Sequence, residues 1–161
     1  MAARISRPPP RKRSVPSKPR SPFELKPMSI ADFDDVLLLW ERTEGIGLNE
    51  SDSKPNLVGF LERNPGMSFV ARKGQALIGA VLCGHDGRRG YLHHLAVAQQ
   101  HRGHGLGKKL VESCLAELNS AGILKCNIFI YENNFSGEAF WKHHGWIKRA
   151  DLRVMQKPTN Q

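Results

Sequence analysis

Cysteine is scarce in this chain and long apolar runs are missing. Its three cysteines, Cys83, Cys114 and Cys126, are odd in number and form no short-spaced pair. That argues against a disulfide framework and points to a reduced intracellular, cytoplasmic setting. Cys83 and Cys126 fall in strand-like segments and Cys114 on a helix face, so all three read as core filler. No apolar stretch approaches the roughly 18 residues that cross a bilayer, so a membrane protein is not expected. His101 with His104 and His143 with His144 form two close pairs, but neither an HExxH motif nor Cys–His ligand spacing accompanies them, and no metal site is expected. They are read instead as lining the glycine loop and closing a helix.

Acidic residues are absent from one region only. Residues 1–22 contain seven Lys or Arg, six Pro and no Asp or Glu. So little apolar surface cannot offset the entropy of ordering, and a disordered, solvated tail is expected there. This tail accounts for most of the formal charge of +9, because the remaining chain carries 17 basic and 15 acidic residues. A nearly neutral folded part argues against a dedicated nucleic-acid binder. Residues 23–161 are long enough for one domain.

Periodicity gives the order of elements. Phe23–Met28 alternates like a strand. Ser29 reads as an N-cap with Asp32 in the first turn, and Phe33, Val36, Leu37 and Trp40 follow at helical spacing. A glycine-containing loop leads to a second helix opened by Ser53 and Pro55. Three strand candidates follow over 67–73, 76–86 and 90–97, separated by short turn signals. A strong amphipathic helix carries Leu106, Leu110, Cys114 and Leu118 in one row, with Val111 and Leu115 in the next. The segment 124–131 reads as a strand, 137–143 as a helix and 146–157 as a closing strand. The predicted class is α/β, with a mixed, mostly antiparallel sheet and helices on both faces.

The segment Gln99–Leu110, QQHRGHGLGKKL, carries the chemistry. It is not a phosphate-binding loop of the G-x-x-x-x-G-K-[ST] type, since Lys109 stands where a hydroxyl is needed, and it lacks the third glycine of a dinucleotide fingerprint. What remains is a strand, a short R-x-x-G-x-G turn and a helix. A helix start leaves about four backbone N–H groups unpaired, and glycines let an anion approach them. Each such bond to a charged oxygen contributes about 1.5–3 kcal/mol. Arg102, Lys108 and Lys109 add positive potential.

Three segments in this order resemble the GNAT superfamily of acetyl-CoA-dependent N-acetyltransferases: YLHHLAV, HRGHGLGKKLV and ENNFSGEAFWKHHGW. The resemblance covers the chain from Phe23 to about Lys157 and implies the GNAT-like acyl-CoA N-acyltransferase fold. It also implies that backbone amides of Arg102, Gly103, His104, Gly105, Leu106, Gly107 and Lys108 hold the CoA pyrophosphate. Backbone of the fourth strand at Leu95, Ala96 and Val97 pairs with the pantetheine arm, and the Leu95 N–H faces the thioester oxygen. Asn134 sits at the cofactor's side, as does Trp141. Trp141 stands where the family often has a tyrosine acting as acid toward the thiolate, a role an indole cannot fill, and Tyr131 is the substitute candidate.

On the fourth strand, simple alternation puts Tyr91, His93, Leu95 and Val97 on one face. His93 falls where one member of the family carries a histidine that helps to remove the amine proton, and an imidazole has a suitable pKa. It is read as that base or as a packed strand histidine, while His94 is read as structural. The segment between the first two helices borders the acceptor in the family. There, Glu44 and Asp52 would attract a cationic amine, with Trp40, Ile46 and Leu48 as apolar walls, or the segment is simply a solvated loop. The resemblance implies transfer of acetyl from acetyl-CoA to a primary amine, either a small molecule or a peptide or protein amine, by direct attack, and a homodimer is compatible with it. Two alternatives stay open: an inactive CoA-binding sensor or scaffold, and an acyltransferase with another donor or a non-amine acceptor.

Overall fold

The computed structural model describes residues 22–159. The basic tail therefore lies, apart from Pro22, outside the described residues. The elements are β1 (Glu24–Pro27), α1 (Phe33–Glu41), α2 (Lys54–Arg63), β2 (Phe69–Lys73), β3 (Ala76–His85), β4 (Gly90–Val97), α3 (Leu106–Ser120), β5 (Cys126–Ile128) and α4 (Phe135–His143), with single 3-10 turns at Ile30–Asp32, Glu50–Asp52 and Gln99–His101. The strands form one five-stranded sheet in the order β1-β2-β3-β4-β5. The first three pairings are antiparallel and β4–β5 is parallel, which is the mixed sheet expected.

β3 is buried along nearly its whole length, because both faces of the sheet are covered. On one face Ile78, Val81, Cys83 and Leu92 pack against Leu106, Leu110, Val111, Cys114 and Leu118 of α3. On the other, Val70, Ala80, Leu82 and Ala96 pack against Phe33, Val36 and Trp40 of α1 and Leu57 of α2. Leu115, read as part of the apolar face of α3, lies at its exposed edge. Cys83 and Cys114 are buried filler, and burial pushes the Cys126 thiol up to about 12.

The entry to α1 is fixed by charge. Asp32 is buried and accepts hydrogen bonds from the Ser29 N–H at 3.0 Å and from Arg72 Nη2 at 2.9 Å. Burial alone would raise its pKa, but the Ser29 and Arg72 hydrogen bonds and the nearby Lys26 charge hold it below the usual carboxylate value.

Two expectations are corrected. The closing strand over 146–157 does not form: Arg149 pairs with Asp151 at 2.7–2.8 Å and the Leu152 N–H turns back to the Arg149 carbonyl. That local turn replaces ladder bonds and leaves Ile147, Leu152, Val154 and Met155 exposed. Alternation along β4 also fails. Its register against β3 slips between Ala80 and Leu82, and His94 has a φ of 51°. A bulge of this kind inserts one residue and exchanges the faces beyond it. Leu92 faces α3, yet Ala96, four residues on, faces α1, and Leu95 and Val97 pack on the α3 side instead of sharing a face with His93. Among the described residues no helix is long and apolar enough to cross a membrane.

Candidate active site

β4 and β5 pair only from Gly90–Cys126 to Leu92–Ile128. Beyond this, β4 continues to Val97 while β5 has ended, so the two strands part. A cavity of about 1060 Å³ opens at this splay. Its floor is β4 and the turn entering α3, one wall is α4, and the loop after α1 closes it from above.

The turn into α3 presents donors. Gly103 and Gly105 both have φ of 77°, in the left-handed region that costs other residues. This conformation turns the chain sharply enough that no backbone or side-chain acceptor among the described residues takes the N–H groups from Gly103 to Lys108. The α3 dipole adds to their partial positive charge. Gly107 completes the entrance: a Cβ there would come 3.3 Å from the Phe140 ring of α4. Arg102 donates from Nε to the Val97 carbonyl at 2.9 Å, tying the turn to β4. Lys108 lines the cavity. Lys109 does not contribute there, since its ammonium lies over the Phe23 ring, 4.9 Å from the centroid.

Of the residues singled out in the sequence, the cavity brings together Glu44, His93, Leu95, Val97, Arg102, Gly103, Gly105, Leu106, Gly107, Lys108, Tyr131, Asn134 and Trp141. His104 is exposed and bonds the Arg102 carbonyl through Nδ1 at 2.8 Å. Ala96 is buried toward α1. Trp40 is core, 1% exposed, and forms no wall of the cavity. Asn134 accepts the Gly137 N–H at 2.9 Å and so caps α4. The backbone of Gly45 sits against the Asn134 side chain and that of Gly47 against the Tyr131 hydroxyl, which is how the loop after α1 closes over the splay. Ile46 lines the cavity, whereas Leu48 packs on the α1 core.

Two histidines face this space. His93 stacks on Tyr91 at 6.3 Å between centroids and meets Phe60 edge-on at 6.2 Å. Burial, with the neighbouring His94 adding to it, holds its pKa below the ordinary imidazole value, and the weaker opposing pull of Asp52 does not cancel this. Burial thus favours the neutral form of His93. His94 bonds Asp52 Oδ1 through Nε2 at 2.7 Å. Asp52 thus does not line the cavity; it holds a histidine that does. A left-handed φ on a bulky residue costs about 1–3 kcal/mol and persists only where surrounding contacts enforce it. Sequence reading missed this pair because 42 residues separate its members and no spacing rule links them. It also missed Val154, Met155 and Gln156, which line the cavity from the irregular C-terminal segment.

Among the described residues no group of three or more His, Cys, Asp or Glu gathers as a metal site would. What is gathered is an anion-receptive turn, an opened strand edge and two imidazoles. Relatives share the sequence and the fold. An acetyltransferase of Yersinia enterocolitica is 31% identical over 112 residues, covering 70% of this chain and 79% of that protein. Ard1 from Thermoplasma volcanium superposes with a TM-score of 0.71 at 14% identity, over 81% of this chain and 86% of its own. The PaiA N-acetyltransferase of Thermoplasma acidophilum, solved in complex with coenzyme A, does so with a TM-score of 0.67 at 21% identity, over 76% and 88%. The sequence model of the acetyltransferase (GNAT) family matches residues 33–146, spanning every element from α1 to α4, and the chain belongs to that family of acetyltransferases.

Proposed function

We propose that the protein transfers the acetyl group of acetyl-CoA to a primary amine by direct attack of the amine on the thioester. The observation that carries this is the run of N–H groups from Gly103 to Lys108 that have no partner among the described residues, in a turn that lines the same cavity as His93 and His94. The fit to CoA rests on these residues: the donors and Lys108 suit a diphosphate, and the edge of β4 that β5 leaves open beyond Leu92, at Leu95 and the Val97 N–H, suits an amide-bearing arm that adds as a strand would. The CoA-bound neighbour of the same fold supports the assignment.

Leu95 N–H is placed in this reading to hydrogen-bond the oxyanion that develops on the thioester carbonyl, an effect whose removal costs about 2.7–4 kcal/mol elsewhere. The proton step falls to the β4 histidines, of which His93 is the one the sequence points to. Asn134 and Trp141 border the cofactor arm. Tyr131 is the candidate acid for the leaving thiolate, since Trp141 carries no usable proton. Glu44 is the cavity carboxylate that would draw a cationic acceptor. No covalent enzyme intermediate is invoked, because no cysteine is among the described residues that line the cavity. Residues 23–161 are assigned to this domain and 1–22 to a tail before it.

The test is calorimetry with CoA followed by thiol release from acetyl-CoA across an amine panel, with acetylated products identified by mass spectrometry. Absence of CoA binding refutes the reading. Binding without turnover on any amine favours the sensor alternative, which the indole at position 141 makes concrete.

A further inference from the structure

We propose that the imidazole of His94, held by Asp52, is the base that takes the proton of the acceptor amine; this rests on the acetyltransfer reading above and names the residue for its proton step. The bond from Nε2 to Asp52 Oδ1 is 2.7 Å. Its carboxylate partner keeps the proton on Nε2 and leaves the lone pair on Nδ1. Asp52 is itself fixed, because its Oδ2 accepts the Asn49 N–H at 3.0 Å in the turn before α2. Both side chains are largely covered, 18% and 12% exposed for His94 and Asp52. The Trp40 indole braces the imidazole, with ring centroids 5.0 Å apart.

Nδ1 has no partner among the described residues, yet it is not an orphaned buried atom; the Trp40 indole nitrogen is the one such side-chain atom among them. Nδ1 therefore keeps accessible surface, on a residue that lines the cavity. The bulge is what brings it there, since it inserts His94 at a φ of 51° beside His93 on the α1 side of the sheet. His93 has no hydrogen-bond partner among the described residues, so nothing fixes its tautomer. Asp52 from the 50–52 turn bonds the His94 ring and His93 is its neighbour on the strand, while the cavity that both histidines line also carries Glu44, His101, Arg102, Lys108, Tyr131, His143 and His144. α1 meets the His94 ring with Trp40, which does not titrate.

The step balances as follows. Nδ1 of His94 takes one proton from the ammonium R–NH3+, leaving R–NH2. The amine lone pair forms the C–N bond, and the C–S bond breaks with its electron pair passing to sulfur. The second amine proton goes to the thiolate, giving R–NH–CO–CH3 and the free thiol, and His94 returns its proton to water.

The experiment measures thiol release from acetyl-CoA between pH 5.5 and 9.5 with phenethylamine, spermidine, lysine and an alanine-initiated peptide as acceptors. The protein's own acid-side limb is the one that stays in place when the acceptor's pKa changes. His94→Gln is expected to lose about a hundredfold or more in kcat and to abolish that limb, with CoA affinity by calorimetry unchanged. Asp52→Asn is expected to lower kcat about tenfold or more with CoA affinity unchanged, because a carboxamide can pair with either tautomer and no longer holds the proton on Nε2. Nitrogen NMR of the histidines in the wild-type chain supplies a readout independent of turnover and of any variant's folding: at neutral pH, His94 should carry its proton on Nε2. A His94 proton on Nδ1, or a His94→Gln variant that keeps both limb and rate, overturns the dyad while acetyl transfer stands. A wild-type chain that binds CoA but releases no thiol with any amine overturns both.

Discussion

Gly105→Val tests the turn on which the cofactor assignment depends. Gly105 has a φ of 77°, and a Cβ placed there would meet nothing within 4 Å. The substitution therefore creates no clash with a neighbour, and its whole cost lies in the backbone. A side chain in the left-handed region costs about 1–2 kcal/mol, at the upper end for a β-branched residue. The turn escapes this by relaxing, which re-aims the N–H groups beside it. Losing one or two bonds to a charged oxygen, at about 1.5–3 kcal/mol each, raises the Kd for CoA by roughly tenfold to twenty-thousandfold. Gly66 supplies a matched control: its φ is 74°, a Cβ there also meets nothing, and it lies in the turn between α2 and β2 rather than at the cavity. Calorimetry with CoA and thermal melts on both variants separate the two effects. Both should melt earlier, and only Gly105→Val should lose CoA. A Gly105→Val protein that binds CoA like the parent refutes the claim that this turn grips the cofactor.

Three further predictions are independent of that turn. Asp32→Asn should lower stability by about 1–2 kcal/mol in denaturant melts, since the buried side chain gives up the charge in its bonds to Arg72 and Ser29 while Arg72 keeps Asp35 at 2.8 Å. His93 has a folded-state pKa below its unfolded value, so the unfolded chain takes up its proton first as the pH falls, and stability drops below about pH 6.5; His93→Gln should flatten the melting temperature between pH 7 and 5 relative to the parent. Glu44→Gln should raise KM for a cationic amine several-fold and leave kcat within about twofold, and no change with any acceptor would remove Glu44 from the acceptor site.

Much of the fold was legible because its signals are local. The fourfold row on α3, Ser53 and Pro55 at the start of α2, and the alternation of β1 each depend on residues a few positions apart. The closing strand was not legible. Its apolar residues suit a ladder, but the Arg149–Asp151 pair and the turn at Leu152 are cheaper local bonds, and no periodicity count weighs one against the other. The glycine turn was readable for the same reason that α3 was, since the strain at 103 and 105 is written in the residue type itself.

The order of elements from β1 to α4, the anion-receptive turn and the family resemblance were determined by the sequence alone, because each rests on short-range stereochemistry. The faces of β4 were decided only by the tertiary structure, through a single inserted residue at His94 whose strain is held by Asp52 and Trp40. These contacts span 42 residues to Asp52 and reach from α1 to β4, and pairing across such distances is settled when the sheet and helices pack together. Which histidine receives a carboxylate, and which surface of the strand meets the cavity, are consequences of that packing.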